Sequence, residues 1–125
     1  MKYAIWLDSM HAKLFPITNG EGHEHKTLKA HGADHHTHQS NHNDVEQKEK
    51  KLFLEVAAEI SSASQIVLMG PGDAKIHFQT FLNGHNAGLA KKIIACETVD
   101  HPTDPQLVAQ AMKLFTVESS ALHVH

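Results

Sequence analysis

Histidines crowd one stretch of this chain. His23, His25, His31, His35, His36, His38 and His42 lie there, out of 13 histidines in all. Neutral imidazole is a borderline ligand that suits zinc, copper and nickel, and a pliable segment can wrap a single ion. His35, His36, His38 and His42 are the candidate ligands, and a helix starting early would set His38 and His42 on one face. Asp34 or Asp44 would add an oxygen donor. The signal is compositional, because structural zinc sites ordinarily combine tighter spacing with cysteine thiolates. The same residues also read as a polar, solvated connection.

A second stretch with chemical content is Gln65–Lys75, QIVLMGPGDAK. Ile66–Met69 is a short, unbroken apolar run, which predicts a strand buried on both faces. Gly70 and Gly72 permit a sharp turn, Pro71 fixes one φ within it, and Asp73 is placed to cap a helix. A glycine turn leading into a helix N-terminus can hold an anion, with Lys75 nearby. It is not a Walker-type phosphate loop, since the Gly-Lys-Ser/Thr ending is missing. Close helix–strand packing explains the same glycines without any ligand.

These residues need a frame, and the rest of the chain supplies one. Lys2–Leu7 reads as a strand, Asp8-Ser9-Met10 as a tight turn, and His11–Ile17 as the antiparallel partner, with Pro16 at its end or at an edge. His23–Leu28 is expected to add a third, polar edge strand. Ala30–Asp44 carries almost no apolar residue, so the His-rich loop spans about 30–43. Asn43 or Asp44 then caps a helix over Val45–Ser61, with Val45, Leu52, Phe53, Val56, Ala57 and Ile60 as its buried stripe. A second helix runs from Asp73 to Leu82, burying Ala74, Phe78, Phe81 and Leu82, and Asn83-Gly84 is expected to stop it. A turn around His85–Ala90 leads to the strand Lys92–Glu97, where Cys96 is expected to pack as a small hydrophobe. Thr103 and Gln106 stand at capping-box spacing, and Pro105 suits a first helical turn. Leu107, Val108, Ala111, Leu114 and Phe115 form the last apolar stripe. The order is βββαβαβα.

Composition narrows the function classes. A chain of 125 residues fits one domain with a real core. No apolar run is long enough to cross a bilayer, and a single cysteine cannot form an internal disulfide, so a cytoplasmic setting is expected. The net charge of −3 argues against a strongly nucleic-acid-seeking surface. All 11 basic residues are lysine, and the absence of arginine removes the usual bidentate reader of phosphates and guanines.

Three antiparallel strands followed by alternating helices and strands is the order of the ribonuclease H-like fold. The chain resembles the middle domain of archaeal and eukaryotic peptide release factors and of Pelota, the ribosome-rescue protein. Asp8 closing the first strand, the meander, the loop, the long helix and then LMGPGDAKIHFQTFL carry the resemblance over nearly the whole sequence. GPGDAKIHFQTFL with KKIIACETVDHPTDPQLVAQA is similar to small bacterial relatives described as translational machinery proteins.

The resemblance implies an α/β, mixed five-stranded sheet in the order 3-2-1-4-5, with right-handed crossovers and helices packed on its faces. It also implies a ribosome or a translation factor as partner. One departure matters for activity. Release factors carry Gly-Gly-Gln in the loop before the long helix, whereas here Lys29–Ser40 reads KAHGADHHTHQS. The resemblance therefore implies a non-enzymatic accessory of translation, without peptidyl-tRNA hydrolysis by the Gly-Gly-Gln route. If ribosomes are bound, Gly70, Gly72, Lys75, Lys91 and Lys92 are the expected phosphate contacts. Two alternatives stand beside this reading. One is zinc, nickel or copper binding by the histidine loop. The other is a magnesium-dependent nuclease using Asp8, Asp73 and Asp104, since ribonuclease H-like nucleases hold two metals with carboxylates at strand ends. Against the nuclease, Asp8 also reads as a turn residue and Asp73 and Asp104 as helix caps.

Overall fold

The computed structural model describes residues 1–18, 21–22, 25–30 and 42–123, with side-chain surroundings described for 1–18, 25–30 and 47–116. Its centre is a mixed sheet. β1 (Lys2–Leu7) and β2 (His11–Thr18) form an antiparallel hairpin, with Ile5 opposite Leu14 and Leu7 opposite Ala12. β3 (Glu21–Gly22) and β4 (Lys26–Lys29) both pair antiparallel with the far side of β2. On the other side of β1, β5 (Gln65–Gly70) and then β6 (Ile93–Thr98) add in parallel. The sheet order is β3-β2-β1-β5-β6, with β4 also on β2. Counting β3 and β4 as the two pieces of one third strand, this is the expected order 3-2-1-4-5.

Alternation along the central strands divides the core into two. Ile66 and Leu68 face the helices α1 (His42–Glu59) and α2 (Ala74–His85), joined there by Ile5, Leu7, Leu52 and Phe78. Val67 and Met69 face α4 (Asp104–His123), with Ala4, Trp6, Leu107 and Phe115. All four apolar residues of β5 are fully buried, so the strand is covered on both faces as its unbroken apolar run requires. Each such side chain contributes about 1.5–3 kcal/mol by leaving water.

Several boundaries differ from the sequence expectation. The third strand is two short segments rather than His23–Leu28, and His25 lies between them outside either ladder. Pro16, with no N–H for a ladder bond, sits inside β2 opposite that break and not at a strand end. α1 starts at His42, so Asn43 and Asp44 occupy its first turn instead of capping it. α2 continues through Asn83 and Gly84 to His85, because burial of Phe78 and Leu82 outweighs a glycine penalty of about 1 kcal/mol. The expected turn holds a one-turn helix, α3 (Ala87–Ala90), capped by Asn86 Oδ1 accepting from the Leu89 N–H at 3.1 Å.

Candidate functional site

The carboxyl ends of β1, β5 and β6 lie along one edge of the sheet, and a cleft opens there on each face. Parallel sheets place ligands at this edge because loops diverge there around a rigid base. Asp8, just after β1, borders both clefts. Its Oδ1 accepts from the N–H groups of Met10 at 2.8 Å and His11 at 2.6 Å, which folds the β1–β2 turn.

On the α1/α2 face, a cavity of about 300 Å³ is bordered by Asp8, Glu49, Gly72, Asp73 and His77. His77 Nδ1 lies 3.2 Å from Glu49 Oε1. The fold thus brings together two of the three expected nuclease carboxylates, Asp8 and Asp73, and adds Glu49, which no motif in the sequence singles out. Asp104 does not join them. It stands on the α4 side, where its Oδ1 pairs with Lys13 Nζ at 3.0 Å and its Oδ2 lies 3.7 Å from His25 Nδ1. Among the described residues, no group of three or more histidine, cysteine, aspartate or glutamate side chains is placed to hold a metal ion. The expected cap roles are also corrected. Asp73 occupies the N-cap of α2 but makes no side-chain cap bond. Asp104 is the first residue of α4, and the cap is the reciprocal pair of Thr103 and Gln106, at 2.9 and 3.3 Å.

The first glycine of the turn is dictated by packing. A Cβ on Gly70 would lie 2.1 Å from the Leu7 carbonyl oxygen, so only glycine lets β5 end this close to β1. A Cβ on Gly72 would meet nothing within 4 Å, and the residue is exposed, so packing does not demand glycine there. Lys75 is buried, the one buried charged residue among those described, and its ammonium donates back to the Gly72 carbonyl. Lys91 and Lys92 are exposed at the approach to β6. Cys96, expected in the core, is exposed, because β6 is the sheet edge and no further strand among the described residues covers it. Partial burial of the thiol still raises its pKa, and the positive charge of Lys75 works the other way and loses. That basic neighbour is 21 positions away, beyond any local motif.

On the α4 face two cavities of about 330 and 540 Å³ share His101, Pro102 and Leu107. Trp6 forms part of the inner one, and its indole N–H donates to the Asp100 carbonyl at 3.0 Å. His101, which no motif in the sequence singles out, stands 5.3 Å from the Trp6 ring, centroid to centroid. Trp6 and Leu7 are both buried, on opposite faces of the sheet, and Trp6 belongs to the core under α4. His31, His35, His36 and His38 lie outside the described residues, and His42 opens α1.

No protein-family model and no curated protein sequence matches the chain. Solved structures do. The Pelota protein of Thermoplasma acidophilum aligns with a TM-score of 0.64 at 18% identity, over 90% of this chain and 31% of that one. Pelota of Archaeoglobus fulgidus aligns at 0.55 and 16% identity, over 98% of this chain and 36% of the other. An archaeal translation termination factor, aRF1, aligns at 0.59 and 17% identity, covering 98% and 40%. The chain spans well under half of each of these proteins, and the likeness is one of fold. The resemblance to Pelota and release-factor domains is thereby shown at that level. No helix among the described residues is long and apolar enough to cross a membrane.

Proposed function

We propose that this chain is a non-enzymatic accessory of translation that binds the ribosome or a factor bound to it, in the manner of a ribosome-rescue component. The observation that supports this most is the fold likeness over 90–98% of the chain to domains of two Pelota proteins and a termination factor. Fold alone does not carry activity. The sequence bears on activity separately, because KAHGADHHTHQS stands where release factors have Gly-Gly-Gln. Without that tripeptide the reading gives no peptidyl-tRNA hydrolysis.

Lys91 and Lys92 are the phosphate contacts we put forward, being exposed and adjacent. Lys75 serves instead to hold the Gly70–Gly72 turn, since its ammonium is turned to the Gly72 carbonyl. With no arginine in the chain, shape and charge dominate over base reading, so binding is weak and sensitive to salt. Co-sedimentation with purified ribosomes at low salt, from growing and from stalled cells, tests the reading. Recovery in the ribosomal pellet without release of labelled peptide from ribosome-bound tRNA is the expected result. Absence from the pellet in both cases would overturn the accessory role. Peptide release abolished by Gln39→Ala would overturn the non-enzymatic one.

A further inference from the structure

We propose that the cleft on the α4 face binds a mononucleotide, with its phosphate in the inner cavity and its base in the outer one. The two cavities differ in chemistry in the way such a ligand does. Lys13, His11 and Thr27 border the inner one and are all hydrogen-bond donors or potential cations. Lys13 is paired with Asp104, but that half-exposed pair is worth little, and an ammonium has three donors. Asp8, the carboxylate bordering this cavity, has one oxygen already held by two backbone N–H groups. His11 Nδ1 lies 3.5 Å from that same oxygen, so the donors left for a phosphate are the remaining N–H groups of Lys13, the other ring nitrogen of His11 and the Thr27 hydroxyl.

The outer cavity suits a planar heterocycle. Val99, Pro102 and Leu107 give it apolar walls, and the exposed ring of His101 stands at the boundary of the two cavities, where a base can stack. Gln106 and Gln110 supply an edge of each polarity. The Gln106 carbonyl accepts from the Thr103 N–H, leaving its amide N–H groups for a ligand. The Gln110 amide donates to Glu97 at 2.9 Å, leaving its carbonyl oxygen. A base edge offers both an acceptor and a donor, so it can satisfy both. The combined space, about 330 and 540 Å³, admits a ligand of this size.

Trp6 provides the readout, being the only tryptophan and part of the inner cavity. The full chain is titrated with adenosine monophosphate and uridine monophosphate, following Trp6 fluorescence and heat. Inorganic phosphate, adenosine and a dinucleotide with an internal phosphodiester serve as the other probes. The monophosphates are expected to saturate, phosphate and adenosine each to bind more weakly, and Lys13→Gln to weaken both monophosphate and phosphate about tenfold or more. His101→Ala, at an exposed position, is expected to weaken the monophosphates and leave phosphate unchanged. No saturable signal at millimolar monophosphate, or equal affinity for adenosine, would overturn the proposal. So would a dinucleotide that binds as tightly as the monophosphate, or unchanged affinity in a folded Lys13→Gln protein. No ribosome enters the experiment, so its outcome is separate from that of the translation reading.

Discussion

The two faces of the sheet share one edge and one residue, Asp8, yet they gather opposite chemistry there. Between α1 and α2 the cleft collects Glu49, Asp73 and one histidine. Under α4 it collects Lys13, His11 and His101 against Trp6 and Leu107. The difference comes from strand alternation and connection. Lys13 follows Ala12 and precedes Leu14 on β2, so it falls on the α4 side, where Trp6 is its neighbour across the ladder. Glu49 reaches the other cleft only because α1 crosses that face. A carboxylate cluster and a donor cluster can thus be built a few ångströms of sheet apart, each with its own covering helix.

The turn that separates the faces is the most sensitive point. Gly70→Ala puts a methyl group against the Leu7 carbonyl, where no side chain can give way. We expect a loss of about 3 kcal/mol or more, at the top of the range for overpacking, read as a lower urea midpoint. An unchanged midpoint would mean that the two strand ends do not approach as closely as described. Next in size is the α4 cap. Thr103→Ala removes the hydroxyl that accepts from the Gln106 N–H and should cost about 1 kcal/mol by the same measurement.

The ion pairs should separate the clefts further. Lys13→Gln removes a partner that Asp104 shares with His25, and we expect about 0.5–1 kcal/mol of destabilisation by the same unfolding measurement. His77→Ala breaks a pair whose histidine is exposed, and a change within about 0.5 kcal/mol is expected. Equal and large losses from both would erase the contrast. The smallest effect concerns Cys96. Its raised thiol pKa keeps the native protein protonated where the unfolded chain has begun to ionise. Native Cys96 should therefore alkylate more slowly than the denatured chain at mildly alkaline pH. By linkage, the native state binds the extra proton, so stability falls as pH rises above the unfolded thiol pKa. Faster alkylation of the native protein would show that Lys75 outweighs burial.

Much of this fold is legible in residue order. The apolar run Ile66–Met69 dictates a doubly covered strand, and the spacing of Leu52, Phe53, Val56 and Ile60 dictates a helix face; both are buried as expected. The Thr103–Gln106 capping box is likewise local and is found in place. What sequence could not give was long-range neighbourhood. Nothing near Lys75 in the chain tells that its charge acts on Cys96. Nothing near Glu49 tells that Asp8 and Asp73 lie across from it. Asn83-Gly84 misled because a local stop signal was overridden by the buried ring of Phe78 and by Leu82. His31, His35, His36 and His38 fall outside the described residues, and zinc binding there is a separate proposal with its own check. Calorimetric zinc titration should give heats that shrink as pH falls through about 6.5, when the imidazoles protonate, and that vanish when His35, His36, His38 and His42 become alanine. Equal heats from both proteins would dismiss the segment as a site.

The most direct test of the translation reading is the affinity of the chain for ribosomes over a salt series. Each lysine that neutralises a phosphate steepens the fall of log K with log salt by about 0.7–0.9. The account predicts a linear decline, and a Lys91→Ala/Lys92→Ala protein that binds more weakly with a slope shallower by about 1–2. Lys75→Met should leave the slope unchanged. No binding at the lowest salt, or identical slopes for the native and double-variant proteins, would contradict it.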